Sequence, residues 1–371
     1  MPVPVYRYLA HDLRTGTLLE ELPLRDVTFE LRLNGAGAFT ANLPVGFRTR
    51  AGHSLTAAYL GATVPLQTAL YIERDGVLVW GGWIIGRNRS KRSGAIELAG
   101  ADFFSFLNRQ NLETTLTYTA AADDQFDIVR GLVAWVQAQA GGNIGLQVST
   151  GDSGVTRDRT YFGYEAKNIG EAISQLAAVE NGFDFAIDCA YVAGVPVPTL
   201  RLSYPRRGRA AAVTGHVFDL GRNILDYDWP EDGDRAATRV IGLGAGDGLD
   251  MLSTSYSRAD LIDLGYPRLT HVLAFKDISV AATLVGHVRA YAQVFGLPTI
   301  EPKITVQAGA DPTVGDWIVG DEARIRIEDD DQFPAQDDGS PGLDVTRRIV
   351  AASIRPGEAG DFAVLTFAEA S

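Results

Sequence analysis

The stretch Leu70–Ser90, LYIERDGVLVWGGWIIGRNRS, places two apolar runs on either side of Asp75-Gly76. Two β-type runs joined by two residues predict a hairpin, and an Asp-Gly pair suits a type I′ turn because both central residues need φ > 0. A pair of glycines, Gly81-Gly82, then interrupts the second run. Glycine inside a strand usually marks a bend or a bulge, as at the corner of a barrel. The stretch therefore predicts a small closed sheet with one strongly bent strand.

Short β-type runs separated by turn signals fill residues 1–100 and return after residue 236. This pattern is typical of a barrel or a sandwich. The ends of the two regions resemble each other, since VWGGWIIGRNRSKRSGAIELAG and VTRRIVAASIRPGEAGDFAVLTF each place an Arg-bearing connection with Gly between two strands. This weak repeat predicts two related small β-barrels within one chain.

Helical patterns fill the region between the β regions. A helix is predicted over DDQFDIVRGLVAWVQAQAGG, with Asp123 or Asp124 as its N-cap, and a second over NIGEAISQLAAVENG, where Asn168 and Glu171 form a capping box. Apolar residues at helical spacing predict the buried face of the first helix: Phe126, Val129, Leu132, Val133 and Val136.

Two further helices are predicted inside the C-terminal β region. SRADLIDLG has Ser257 as its cap, and DISVAATLVGHVRAYAQVFGLP has Asp277 or Ser279 as its cap and stops at Gly296. We therefore predict an α+β, mainly β fold. A first barrel covers residues 1–110, a mixed α/β domain covers 111–235, and a second barrel with a helical insertion at about 250–298 covers 236–371.

Charge and composition exclude several classes of protein. The net charge of −13 argues against a protein that wraps the outside of a nucleic acid, because that requires a basic face, but not against a pore through which DNA passes. No apolar run reaches the ~18 residues of a membrane span, and the N-terminus has no secretory signal pattern. A length of 371 residues predicts two or three domains.

No motif predicts catalysis, and we expect no catalytic, cofactor-binding or metal-ligating residue. The glycine-rich segment Ile241–Gly248 has neither dinucleotide-binding nor P-loop spacing. Asp184 and Asp188 share a strand face, where a glycosidase pair could in principle be built, but such pairs are common on solvated faces. The single cysteine, Cys189, is predicted to be a buried apolar group. The five histidines are scattered at His11, His53, His216, His271 and His287.

Two further sets of residues leave alternatives open. The acidic segment Ile327–Gly342 lacks the EF-hand order, so a long loop between barrel strands is favoured over a Ca²⁺ site. The tryptophans lie mostly among apolar neighbours and are interpreted as core or interface anchors: Trp80, Trp83, Trp135, Trp229 and Trp317.

The order of these motifs resembles the tail-hub, or tail-tip minor tail, proteins of long-tailed phages. The strand pair "LN-x-x-G-x-F" of that family is matched here by Leu33, Asn34, Gly37 and Phe39. Its hairpin "R-D-G-x-x-V-x-x-G-x-I" is matched by Arg74, Asp75, Gly76, Val79, Gly82 and Ile84. AKNIGEAISQLAAVENGFDFAID, the closing YPRRG and the later VGD are also similar, so the resemblance covers most of the chain.

The resemblance implies a structural virion protein without enzymatic activity or cofactors. It implies a homotrimer of double barrels, a pseudo-sixfold ring at the tail tip that is assembled in the host cytoplasm. The implied partners are a distal tail protein and the tail-tube ring, a tape measure protein, and tip or fibre proteins, with DNA only in passage through the channel. The alternatives are a spike-hub component of a contractile injection system and, from another class, an enzyme acting on cell wall or glycans.

Three expectations follow for the assembly and the bend. Strands apolar on both faces, in LYIERDGVLVW and VWGGWII, predict cover from other subunits. An acidic lumen is predicted to repel DNA phosphates, with Asp321, Glu322 and Glu328–Asp331 as candidates. Gly82→Val is expected to destabilise the fold, and Gly248→Ala to be near neutral.

Overall fold

The computed structural model of the chain describes residues 4–46, 48, 52, 54–90, 94–276, 278–307, 310–357 and 360–369. His53 and Asp277, which the sequence analysis singled out, lie outside this set. The N-terminal part consists of β1 (Tyr6–Asp12), β2 (Leu18–Glu21), β3 (Arg25–Arg32), β4 (Ala38–Pro44), α1 (Thr56–Gly61), β5 (Thr68–Arg74), β6 (Val77–Arg89), β7 (Ala95–Asp102) and α2 (Phe104–Leu107).

The predicted Asp75-Gly76 turn is confirmed. Both residues have positive φ, 51° and 86°, and the turn joins β5 to β6 in an antiparallel pair. Neither Gly81 nor Gly82 has positive φ. The pairing of β6 with β5 shifts register at Ile72/Glu73 of β5, and its pairing with β7 shifts at Ile84/Gly86 of β6, so the two irregularities lie on either side of the glycines. A Cβ at Gly82 would lie 2.2 Å from the carbonyl oxygen of Ala101. The glycine therefore permits β7 to approach closely.

The middle part packs two helices beside a small sheet. The N-caps are confirmed, since the Asp124 side chain accepts from the Phe126 N–H and that of Asn168 accepts from the Glu171 N–H. The five residues of the predicted stripe are all buried. The elements are β8 (Leu116–Tyr118), α3 (Gln125–Ala138), β9 (Gln147–Val148), β10 (Arg159–Tyr161), a 3-10 turn (Gly163–Glu165), α4 (Ile169–Ala177), β11 (Asp184–Val192) and β12 (Val195–Ser203).

The C-terminal part alternates strands with short helices. Its elements are α5 (Ala211–Thr214), β13 (Val217–Asp219), β14 (Ile224–Asp228), β15 (Glu231–Asp232), β16 (Arg239–Leu243), a 3-10 turn (Gly248–Asp250), β17 (Ser253–Ser257), α6 (Ala259–Asp263), β18 (Thr270–Ala274), α7 (Ala281–Val294), β19 (Thr299–Ile300), β20 (Lys303–Gln307), β21 (Glu322–Ile327), β22 (Leu343–Arg355) and β23 (Phe362–Glu369).

Two predicted helix caps in this part are wrong. Ser257 is the last residue of β17, and its hydroxyl accepts from Arg239 instead of capping α6. Helix α7 begins after Val280 without a side-chain cap, so Ser279 does not cap it either. Instead, the Arg258 N–H before α6 donates to the Thr238 carbonyl, and the Ile278 carbonyl before α7 accepts from the Ala245 N–H. A local sequence pattern does not reveal such non-local contacts.

Thirteen strands form one sheet, which confirms the mainly β fold. Its path is β14-β20-β23-β22-β3-β4-β7-β6-β5-β1-β2, with β21 on β22 and β13 on β21. The N-terminal and C-terminal strands meet where β22 pairs with β3, from Ala351↔Arg32 to Ile354↔Phe29. Within the described residues no ladder closes either half, so two closed barrels stay a prediction.

The three-domain division at residues 110 and 235 also stays a proposal. Strands β13 and β14 lie before residue 235, but they pair with β21 and β20 of the C-terminal part. One cluster of buried apolar side chains includes Phe29 and Ile72 from the N-terminal strands and Trp317 and Leu365 from the C-terminal ones. The two sets of strands therefore share a core.

Strand β5 is buried on both faces by its own chain. Leu70 and Ile72 belong to the core that both sets of strands share, whereas Ala69 and Tyr71 pack in a second cluster with α3 and α4. The expectation that other subunits must cover this strand is therefore wrong. The middle region supplies the second cover, because Cys189 of β11 lies against Tyr71 and Gly81 on the face that the shared core leaves free.

Candidate functional site: a buried ionic junction

The YPRRG motif, Tyr204–Gly208, contacts the second VGD motif, Val319–Asp321, through their glycines. Gly208 and Gly320 have φ of +94° and +106°, and a Cβ on Gly208 would lie 2.1 Å from the Gly320 carbonyl carbon. At these φ values L side chains are disfavoured, so both positions favour glycine. The contact places Arg207 against the Val319 carbonyl, and Arg209, which follows the YPRRG motif, against Asp321.

Asp184 and Arg348 form the buried centre of this junction. Asp184 accepts from the Arg348 guanidinium, from the Arg207 backbone N–H at 2.8 Å and from the Asn34 amide at 2.8 Å. The side chains of Asp184 and Arg348 are about one-tenth exposed. A buried charge pair is tolerated only when further hydrogen bonds satisfy both groups, and these contacts do so.

Arg207 extends the junction to Asp188. Its Nη2 donates to Oδ1 of Asp188 at 2.6 Å, and its Nε donates to the Val319 carbonyl at 3.1 Å. Arg207 therefore joins both aspartates that the sequence placed on one strand face. Each carboxylate is therefore paired with an arginine side chain, Asp184 with Arg348 and Asp188 with Arg207.

A second pair of acids lies beside the junction. Asp321 is fully buried and accepts from the Arg209 guanidinium, with one contact at 2.5 Å. Glu322 is buried as well and pairs with Arg206 at 2.6 Å. These two residues are therefore wrong candidates for an acidic lumen, because they face arginines and not solvent. Glu328, Asp330 and Asp331 are exposed and remain candidates.

A cavity of about 530 Å³ adjoins the junction. Side chains from all three parts of the chain line it, among them Trp80, Asp102, Asp188, Arg207 and Trp317. Burial raises the pKa of the Asp102 carboxyl to about 7, although the backbone N–H groups of Gly37 and Phe104 donate to it. Both oxygens of Asp102 are thus engaged in holding the β3–β4 turn and the start of α2.

The structure does not bring the other features singled out from the sequence, the acidic segment, possible metal ligands and Cys189, together into one site. The acidic segment is tied by its own backbone, since Asp329 accepts from the Asp331 and Gln332 N–H groups and from the Tyr227 hydroxyl. Among the residues described, no three His, Cys, Asp or Glu side chains come close enough to hold a metal ion. Cys189 packs near Gly81, where burial raises its thiol pKa.

Local sequence patterns did not predict the junction. Asp184 and Arg348, which are hydrogen-bonded to each other, are 164 residues apart in the chain. The available signals were the glycines of YPRRG and VGD and the Asn34 of the resemblance motif. Asn34 occupies the left-handed region at φ 55°, and its amide oxygen accepts from the Phe185 N–H at 2.8 Å.

Comparison with solved structures gives matches over almost the whole chain. The 43 kDa tail protein of prophage MuSo2 from Shewanella oneidensis has a TM-score of 0.60 and 10% identity, with 98% of each chain covered. Prophage tail protein gp18 from Listeria monocytogenes EGD-e has a TM-score of 0.56 and 10% identity, covering 98% of this chain and 95% of that one. No family model matches the sequence, and no curated protein matches it.

A third match is a chain of the Francisella PdpA-VgrG complex, with a TM-score of 0.52 and 6% identity. It covers 99% of this chain but only 58% of that chain. At these identities the likeness establishes the fold. The chain has the fold of phage tail proteins, as the sequence resemblance predicts.

Proposed function

We propose that this chain is a structural protein of a phage tail, and that it forms the hub of the tail tip. The observation that carries the proposal is the match to two prophage tail proteins over at least 95% of both chains. The hub would be a homotrimeric ring that joins the tail tube to the distal tip in the virion. Its partners would be the distal tail protein, the tube ring, the tape measure protein and tip or fibre proteins.

The ionic junction suits a structural role, because it joins segments that are far apart in the chain. It ties the β3–β4 turn, β11, the YPRRG loop and β22 together through charge-assisted hydrogen bonds, which are stronger than neutral ones. Such a clamp keeps the middle region fixed against the sheet. The carboxylates of the junction are paired with arginines. We therefore favour a structural role for this chain over a cell-wall or glycan enzyme.

The second candidate is a spike-hub component of a contractile injection system. The match to the VgrG complex favours it, but that protein is much longer than the matched region. Gene neighbourhood separates the two: a tape measure gene upstream without a sheath gene nearby favours the hub of a non-contractile tail.

The test is the mass of the purified protein by size-exclusion chromatography with light scattering, followed by negative-stain imaging. A threefold particle with a central channel is the expected result. A clean monomer at micromolar concentration contradicts the trimer. Release of fragments from peptidoglycan by the same preparation would instead favour the enzyme.

DNA passage is the remaining part of the proposal. We expect the channel to be acidic, so that phosphates are repelled, with Glu328–Asp331 on its wall. Triple substitution of Glu328, Asp330 and Asp331 by Lys should then create salt-sensitive DNA binding in the trimer, whereas Glu113→Lys, an exposed change in the middle region, should not.

A further inference from the structure

Among the residues that the structure describes, the three-stranded sheet β17-β16-β18 is packed against a helix on one face and is exposed at Val272 on the other. Helix α7 packs on the first face, where a Cβ on Gly242 would lie 2.4 Å from the Val288 side chain and His271 stacks on Tyr291 at 4.6 Å. Ile241 of β16 pairs with Ser255 of β17 and with Val272 of β18. These three residues therefore share the face of the sheet that points away from α7. Val272 is 52% exposed there.

Both edges of this sheet are also open. In the part of the chain that the structure describes, β17 and β18 pair with β16 alone. Their sequences, STSYS and THVLA, contain no charged residue and no proline. Soluble proteins usually protect edge strands with charge, proline or a covering element, because an unprotected edge pairs with other strands.

The residues that flank the two edges carry opposite charge. Exposed Arg268 and Lys276 flank β18, whereas exposed Asp247 and Asp250 precede β17. After β17, Arg258 is already paired with Asp260 at 2.8 Å. Because β17 runs antiparallel and β18 runs parallel to β16, a β18 edge would meet the β17 edge of a like-oriented copy in the antiparallel sense. Contact between two β18 edges would bring basic residues together, whereas contact between β18 and β17 brings Lys276 beside Asp247 and Asp250.

We propose that β18 of one copy pairs with β17 of the next copy, so that this small sheet continues from subunit to subunit. The occupant of each open edge is thus a second copy of this chain. A head-to-tail contact of this kind closes into a ring when the rotation permits. The inference rests on the proposed homotrimer and names the surface through which it forms.

The test uses two single variants, Ser255→Cys and Val272→Cys, that are co-expressed, because in one chain the two cysteines would flank Ile241 and react with each other. Cross-strand neighbours on one face of adjacent subunits lie about 5–8 Å apart, within reach of a short bismaleimide. The co-expressed variants should give a covalent dimer in denaturing gels, and each variant alone and the parent should not. The parent controls for Cys189.

Three outcomes overturn the inference. A dimer from either variant alone indicates pairing between two like edges. If light scattering shows a trimer but the co-expressed variants give no crosslink, the proposed function stands and this surface is excluded as the interface. The matched control is Leu18→Cys with Leu225→Cys, which lie on β2 and β14 at the two ends of the large sheet and are both exposed. Crosslinks in the control alone place the interface there.

Charge reversal gives an independent readout. Lys276→Glu should weaken the trimer, and adding Asp250→Lys should restore it. Strengthening by Lys276→Glu alone would support contact between two β18 edges and contradict the proposal.

Discussion

The hydroxyl of Tyr6 donates a hydrogen bond to Oδ2 of Asp361 across 2.8 Å, and so joins the first strand to the turn before the last one. Arg74 donates to the same oxygen at 3.1 Å. In the order of the sheet, β1 and β23 are separated by six strands. The sheet is therefore curved enough for Tyr6 and Arg74, on neighbouring strands, to hydrogen-bond Asp361 beside the distant strand β23.

Removing this hydroxyl should destabilise the fold. Asp361 is 1% exposed, so Tyr6→Phe leaves a buried carboxylate with one donor fewer, at a cost of about 1–3 kcal/mol in the free energy of unfolding. The measurement is urea denaturation followed by tryptophan fluorescence. Tyr8→Phe is the matched control on the same strand, and an equal loss there would mean that the hydrogen bond is unimportant.

Breaking the ionic junction should cost more. Arg348→Met removes the guanidinium that neutralises Asp184 and should lower the free energy of unfolding by about 3–5 kcal/mol. Arg324→Met on the neighbouring strand removes an arginine that is 54% exposed and pairs with Asp344, for which about 0–1 kcal/mol is expected. Equal denaturation midpoints for the two variants would contradict a buried junction.

Gly82 should not tolerate a side chain. Even Gly82→Ala places a Cβ against the Ala101 carbonyl, and overpacking of this kind costs about 1–3 kcal/mol, with more expected for Gly82→Val. The control proposed from sequence, Gly248→Ala, is unsuitable because Gly248 has φ +57° and any side chain there is strained. Gly151→Ala, with open space and without positive φ, is the better control and should be near neutral. A parent-like midpoint for Gly82→Ala would refute the close approach.

His287 should make the fold sensitive to acid. Burial, with the positive charge of Arg159, lowers its pKa to about 3. The unfolded chain therefore binds a proton below about pH 6.5 that the folded chain refuses, and stability falls as the pH drops from 7 towards 3. His287→Gln should flatten this part of the dependence of the denaturation midpoint on pH. The idea fails if the parent and the variant lose stability in parallel between pH 7 and pH 5.

Local features were predictable because neighbouring residues determine them. The Asp75-Gly76 turn depends on two residues that accept positive φ, and the caps at Asp124 and Asn168 depend on side chains that reach two or three residues along the chain. The buried stripe of α3 follows from helical periodicity. The order of such local motifs was also sufficient to indicate the phage tail-protein fold.

Non-local contacts were decided by the tertiary structure alone. The pairing of β22 with β3, the cover of β5 by the middle region and the junction of Asp184 with Arg348 each join residues far apart in the chain. A strand's sequence shows that both faces are buried, but not what buries them, since an apolar face accepts any apolar partner. Charged residues are equally ambiguous: Asp321 and Asp331 are alike in sequence, yet only folding brings Arg209 to the first and leaves the second in solvent.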